Sequence, residues 1–142
     1  MFEYKILTEE VKSDFAFEVS ADSLSELFRG AGIAMMEAMI DVKKLKMEKV
    51  WEFNIKADTL ELLLFDFLGE LVFLKDVESV LFNDFEVKIQ NDTNFNLSCK
   101  AFGSHIDYKR YEILTDVKAV TMHKFVLEEK VDKWYCHVIV DL

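Results

Sequence analysis

The sequence predicts an α+β fold, with two helices packed on a largely antiparallel sheet. Three observations predict it. Apolar residues alternate with a period of two in several short runs. Two longer runs carry apolar residues at helical spacing. The last strand-like runs follow one another with only turns between them.

Phe15, Phe17 and Val19 alternate with Ala16, Glu18 and Ser20, as in a half-buried strand, which leaves Asp14 on the Glu18 face, away from the core. Ser23-Leu24-Ser25-Glu26 matches a capping box, in which hydroxyl and carboxylate satisfy the first free amides of a helix. Leu24, Leu27, Phe28, Ala31, Met35, Ala38 and Met39 then form one apolar stripe. Gly30 and Gly32 within it each cost about 1 kcal/mol relative to Ala, a cost most easily offset where the backbone packs closely on a sheet. The methionines read as core filler.

Trp51, Phe53 and Ile55 predict a strand over 49–57, and Asp58 is expected to cap a second helix, with Glu61 three residues on. Apolar residues from Leu60 to Leu74 cover most of that helix's circumference, so it must be buried on more than one side and is expected to be central. Phe85, Val87 and Ile89, the turn Gln90-Asn91-Asp92-Thr93-Asn94, and Phe95, Leu97, Cys99 and Ala101 signal a hairpin. After Gly103, residues 117–129 and 134–140 are expected to pair through Glu128-Glu129-Lys130-Val131-Asp132-Lys133.

Residues 1–142 have the length of one ordinary domain, and a hydrophobic content of 51% with 13 Phe excludes disorder. No proline or Gly/Ser-rich linker marks a boundary, and no internal sequence repeat is clear. A formal charge of −10 disfavours direct binding of RNA or DNA. A basic protein surface or a divalent cation suits that field better, although solubility alone is the simpler account of it. Cys99 and Cys136 lie in apolar alternating runs without CxxC spacing and read as buried free thiols. The start of the chain lacks a basic stretch followed by an apolar run, and no uncharged run is long enough to cross a bilayer. The expectation is a cytoplasmic protein with no membrane contact.

Chemistry is sparse. His105, His123 and His137 show no HxxxH or HExxH pattern, and no Ser, Cys or Thr stands beside a recognisable base. Asp141 emerges at the end of the last strand beside the α-carboxylate of Leu142, a pair of hard oxygen donors that suits Ca²⁺, Mg²⁺ or Mn²⁺. A third donor would be needed, and Asp14 is the candidate. On the residues alone, a solvated acidic end is the simpler reading. Lys118, inside Val117-Lys118-Ala119-Val120, must lie on a solvent face or meet carboxylates; an edge-strand lysine that blocks aggregation is the structural alternative.

Thr115-Asp116-Val117-Lys118-Ala119-Val120-Thr121-Met122-His123 resembles the archease signature Thr-x-Val-Lys-Ala-Val-Thr-Tyr-His. The run Leu62 to Leu71, with Phe82 and Phe85 after it, and the ending Val138-Ile139-Val140-Asp141-Leu142 are similar to that family's central helix, following strand and terminus. The resemblance implies nested strand-helix-strand-strand modules. It also implies an accessory protein, not an enzyme, that assists an RtcB-type RNA ligase in tRNA splicing and RNA repair by promoting its guanylylation and multiple turnover. Carried over by motif, Lys118 is the residue that serves partner activation. Asp14, Asp141 and Leu142 are the metal ligands, with Ca²⁺ the first candidate and Mg²⁺ or Mn²⁺ the alternatives. With the resemblance, the metal reading overtakes the solvated end.

The chain departs from the family where archeases commonly have His-Thr-Ala-Asp-Ile-Gly: here Val11-Lys12-Ser13-Asp14-Phe15-Ala16 lacks the histidine. Met122 replaces a frequent tyrosine, and Tyr111 stands where histidine is common. The competing readings are a metal-dependent phosphoester hydrolase using the same acids and a general chaperone or modulator of tRNA modification.

Overall fold

Alternating apolar residues fix which face of a strand turns inward, and here they build two sheets around two helices. The structure, a computed structural model, describes residues 1–7 and 14–142. In chain order the elements are β1 (Phe2–Leu7), β2 (Asp14–Ala21), α1 (Leu24–Met36), β3 (Lys49–Ala57), α2 (Leu60–Glu78), β4 (Val80–Asn91), β5 (Phe95–His105), β6 (Ala119–Val120), β7 (Val126–Lys130) and β8 (Lys133–Asp141). A 3₁₀ turn, Val42–Lys44, follows α1. The α+β class and the 49–57 strand are as the sequence predicts.

The strands form two antiparallel sheets where the sequence suggested one. The first runs β1-β2-β8, with β6 and β7 both paired to the far side of β8; the second runs β3-β5-β4. Each is a strand-helix-strand-strand module whose last strand lies between the other two: β2-α1-β7-β8 and, inserted within it, β3-α2-β4-β5. The nesting is as expected. Two sheets are needed because one sheet face cannot cover a helix that is buried on opposite sides, as α1 is.

Helix α1 lies between the sheets. Its cap is Ser23, whose hydroxyl accepts from the Glu26 amide at 3.2 Å. A Cβ at Gly30 would stand 2.6 Å from the Phe2 ring of the first sheet, and one at Gly32 would stand 2.6 Å from the Phe85 ring of the second. The two glycines therefore sit where α1 approaches each sheet closely.

The central helix is α1, not α2 as predicted, and α2 departs from the sequence reading in two further ways. Its cap is Thr59, not Asp58: the Thr59 hydroxyl accepts from the Leu62 amide at 3.2 Å, and the first helical bond runs from Leu63 to the Thr59 carbonyl at 2.9 Å. Nor is it covered all round, since Leu62, Phe73 and Val77 are exposed. The buried side centres on Phe67, whose ring lies 5.7 Å from Phe28 on α1, 6.1 Å from Phe53 on β3 and 5.8 Å from Phe85 on β4. Such aromatic pairs add about 0.5–1.5 kcal/mol each beyond burial.

The predicted strand over 117–129 is broken. Residues between β6 and β7 turn, with Lys124 in the left-handed region at φ 52° and the Phe125 amide bonded to the Met122 carbonyl. No Gly or Pro marks this turn, so the alternation runs on unbroken in the sequence. The β7–β8 turn is tighter than expected, with Asp132 at φ 59°. Strand β1, which the sequence reading leaves unassigned, pairs with β2 from Phe2↔Ala21 to Leu7↔Ala16. No helix among the described residues is long and apolar enough to cross a membrane.

Cys99 and Cys136 are buried and unpaired, as predicted. Burial pushes each thiol up to about 12, with Glu86 adding to the effect at Cys99. Neither should react with a thiol-exchange reagent at neutral pH in the native protein, and both should react once it is unfolded in denaturant.

A Cβ at Gly103 would fall 2.0 Å from the Leu81 carbonyl oxygen, whereas one at Gly69 within α2 meets nothing within 4 Å. In urea unfolding, Gly103→Ala should destabilise by about 3 kcal/mol or more because backbone must move. Gly69→Ala should stabilise by about 0.5–1 kcal/mol through helix propensity.

Candidate functional site: an acid pair at the end of the first sheet

Strand β2 pairs with β8 along its whole length, from Asp14↔Asp141 to Ala21↔Trp134. Residues directly opposite in an antiparallel pair project to the same face with Cβ atoms about 5 Å apart. The register therefore places Asp14 and Asp141 side by side at one end of the sheet. Asp14 is half-buried and Asp141 exposed. The same row continues through Ala16↔Ile139, both buried, and then Glu18↔His137 and Ser20↔Tyr135, all half-buried.

The signature segment docks on this end of β8. Val117 is fully buried, the Lys118 amide donates to the Asp141 carbonyl at 2.8 Å, and Ala119 and Val120 pair with Asp141 and Val140. Thr121 donates twice to the Ile139 carbonyl, from its amide at 3.1 Å and its hydroxyl at 2.9 Å. Lys118 is exposed, on the solvent side that its charge requires. Leu142 is half-buried and packs against the core, tying down the end of β8. The fold thus brings Asp14, Lys118, Asp141 and Leu142 to one place.

The donors there are hard oxygens, which suit Ca²⁺, Mg²⁺ or Mn²⁺ and not Zn²⁺. Two carboxylates opposite each other on neighbouring strands repel unless a cation lies near them. The third strand offers only Ala119 in that row, and among the described residues no group of three or more His, Cys, Asp or Glu could hold a metal. The side chains therefore supply two ligands, and a third would have to come from the main chain at Leu142. The residue types fit a hard cation on those terms.

One charged residue escaped the sequence reading. Lys75, in the last turn of α2, is 5% exposed. Its Nζ donates to Asp76 at 2.5 Å, to Asp116 at 2.6 Å and to the Val117 carbonyl at 2.9 Å. Burial alone would pull this ammonium's pKa down, but the bonds to Asp116 and Asp76 outweigh it and the net shift is upward. The signal was present: Lys75 stands four residues after Leu71 and three after Val72, on the core side of the helix. A groove of about 380 Å³ opens beside it, floored by Met39, Leu81, Ile106 and Ile113. A hollow of equal size on the outer face of the β3-β5-β4 sheet, lined by Glu52, Glu86 and Lys100 among others, lies on the other sheet from the acid pair.

The histidines stand apart, as expected. His105 Nδ1 is 3.2 Å from the Glu78 carbonyl, His137 Nδ1 is 2.8 Å from that of Lys124, and His123 is exposed. Tyr111 is a core residue whose hydroxyl accepts from the Lys46 amide at 3.3 Å. Met122, in the turn after β6, is exposed. Val11, Lys12 and Ser13, where the family histidine is missing, lie outside the described residues.

Because its pKa is raised on folding, Lys75 contributes stability that is fully present below its ordinary value of 10.5 and is lost as pH rises through the higher folded value. Lys75→Met should cost about 1–3 kcal/mol at neutral pH, mainly by depriving the Val117 carbonyl of this donor, since Asp76 and Asp116 are solvated. In denaturant titrations the gap between wild type and Lys75→Met should narrow above about pH 10.5.

Residues 4–142 match the model of the archease protein family (MTH1598/TM1083). The protein archease of Pyrococcus abyssi is 33% identical over 135 residues, covering 94% of this chain and 95% of that protein. That of Methanosarcina acetivorans is also 33% identical, covering 94% and 92%. Among solved structures, Methanobacterium thermoautotrophicum protein 1598 superposes with a TM-score of 0.84 at 32% identity, over 99% of this chain and 98% of that one. A Thermotoga maritima protein described as an archease and possible chaperone superposes with a TM-score of 0.59 at 20% identity, over 96% of each chain, a likeness of fold.

Proposed function

The chain belongs to the archease family, and on that premise we propose that it is an accessory protein of an RtcB-type RNA ligase, promoting the ligase's guanylylation and multiple turnover. The observation that supports this reading is the register of β2 on β8, which sets Asp14 opposite Asp141 beside the Lys118 segment. Asp14 and Asp141 would hold a hard divalent cation, Ca²⁺ first and Mg²⁺ or Mn²⁺ otherwise, with Leu142 adding a main-chain oxygen. When bound, that cation supplies positive charge suited to phosphate oxygens near the ligase's nucleotide site. Lys118 is exposed and its amide is bonded to the Asp141 carbonyl; on this reading its ammonium would orient the carboxylates or contact the ligase.

In this reading the covalent steps belong to the ligase. The formal charge of −10 suits docking on a basic protein surface better than contact with RNA, and the workplace is the cytoplasm.

The chaperone reading has its own observation. Phe73 and Val77, 55% and 60% exposed, lie one turn apart on the open side of α2. It predicts binding of unfolded clients that is indifferent to Asp141. The hydrolase reading predicts turnover of RNA or nucleotides by the isolated protein, abolished by a chelator.

The test is guanylylation of a cognate ligase, with and without this protein, across metal concentrations. Folded Asp14→Ala and Asp141→Ala variants should lose stimulation by roughly tenfold or more, and Lys118→Ala should be impaired as well. Full stimulation by both acid variants would overturn the assignment.

A further inference from the structure

The segment that carries Lys118 has little secondary structure to hold it. Residues 112–118 form neither helix nor strand, and β6, which follows, is only Ala119–Val120. The Lys75 ammonium bonds the segment's end, beside the Leu114 amide's bond to the Met39 carbonyl further back. An ammonium has three N–H donors, and here Asp76, Asp116 and the Val117 carbonyl take all three. Two of those acceptors belong to the segment, while Lys75 itself belongs to the buried side of α2. The Val117 side chain is fully buried, and the next amide, that of Lys118, reaches the Asp141 carbonyl.

We propose that Lys75 is a positioning residue: it locks residues 116–118 to the buried side of α2, so that Lys118 is held in fixed relation to the Asp14 and Asp141 pair that the β2–β8 register sets. The physical reason is the penalty for leaving a buried ammonium unpaired, which prevents the segment from sliding unless all its bonds re-form elsewhere. A surface ion pair could not do this, because solvent would replace its partners at little cost. The inference rests on the reading of the acid pair and Lys118 as the acting end, and adds how that end is kept in register.

Amide hydrogen exchange followed residue by residue tests it, in wild type, Lys75→Met, Asp116→Asn and Asp116→Glu. Asp116→Asn removes one charged partner while Asp76 and the Val117 carbonyl still hold the Lys75 ammonium, and so covers the case in which Lys75→Met fails to fold. In the folded variants Lys75→Met and Asp116→Asn, the Lys118 amide should exchange about tenfold faster or more, while the β4–β5 hairpin amides keep wild-type protection. Asp116→Glu should restore protection, and calcium affinity by calorimetry should fall with the exchange result. Unchanged exchange at Lys118 overturns the proposal. So does an equal loss across the hairpin, which assigns Lys75 to overall stability alone. A wild-type protein that binds no calcium and stimulates no ligase would instead overturn the acid-site reading, leaving the exchange result to stand.

Discussion

The pairing of β2 with β8 is the constraint on which the rest of the structure depends. It joins residues from opposite ends of the described chain, and both helices and the whole inner module lie within the loop it closes. Closing so long a loop costs only slightly more than closing a shorter one, because the entropy grows logarithmically with length. What the pairing must get right is register. Phe15, Phe17 and Val19 face the core together with Val140, Val138 and Cys136, and a slip of one residue would turn that apolar set outward. The packing that selects the register also selects Asp14 and Asp141 as neighbours.

The helices are tied across the sheets by charge as well as by aromatic packing. Arg29 on α1 makes a two-pronged pair with Asp84 at the irregular point of β4, at 2.7 and 3.2 Å, reaches Glu26 one turn back, and lies over the Phe2 ring. The Asp84 carboxylate holds its guanidinium above the usual range, against partial desolvation. Lys75 does the comparable work for α2, with the difference that its ammonium is withdrawn from solvent and its partners belong to an irregular segment. The first clamp joins regular elements that already pack well; the second holds one that has few other restraints.

Much of this was legible in the sequence because local chemistry and tertiary burial agree. The Ser23 cap, the 49–57 alternation and the hairpin around Asn91–Asn94 each carry a local signal that the fold preserves, although the Glu26 carboxylate of the expected capping box turns to Arg29 and the Met1 amino group instead. The acid pair was legible through the family resemblance, and the register shows why those distant residues meet. The rest was hidden where a tertiary choice decides between equal local signals. Asp58 and Thr59 both cap well, and only the first helical bond separates them. The break after β6 rests on Lys124 adopting a backbone conformation that its side chain does not advertise. The division into two sheets depends on what covers the helices, which period-two runs do not encode. Lys75 carries only its helical phase, four residues after Leu71, as a sign of burial, and a lysine's charge masks that sign.

The nested order also has a temporal meaning. The inner module, β3-α2-β4-β5, is contiguous in the chain and complete before β6 begins, so it can collapse as a unit while the chain is still being synthesised. The outer sheet is different: β8 comes last and belongs between strands already made. Asp14 therefore waits for its counterpart until the final strand inserts, and a chain stalled short of it would carry a nearly whole interior with no acid pair. The acid pair thus exists only in molecules whose synthesis and folding have both run to the end of β8.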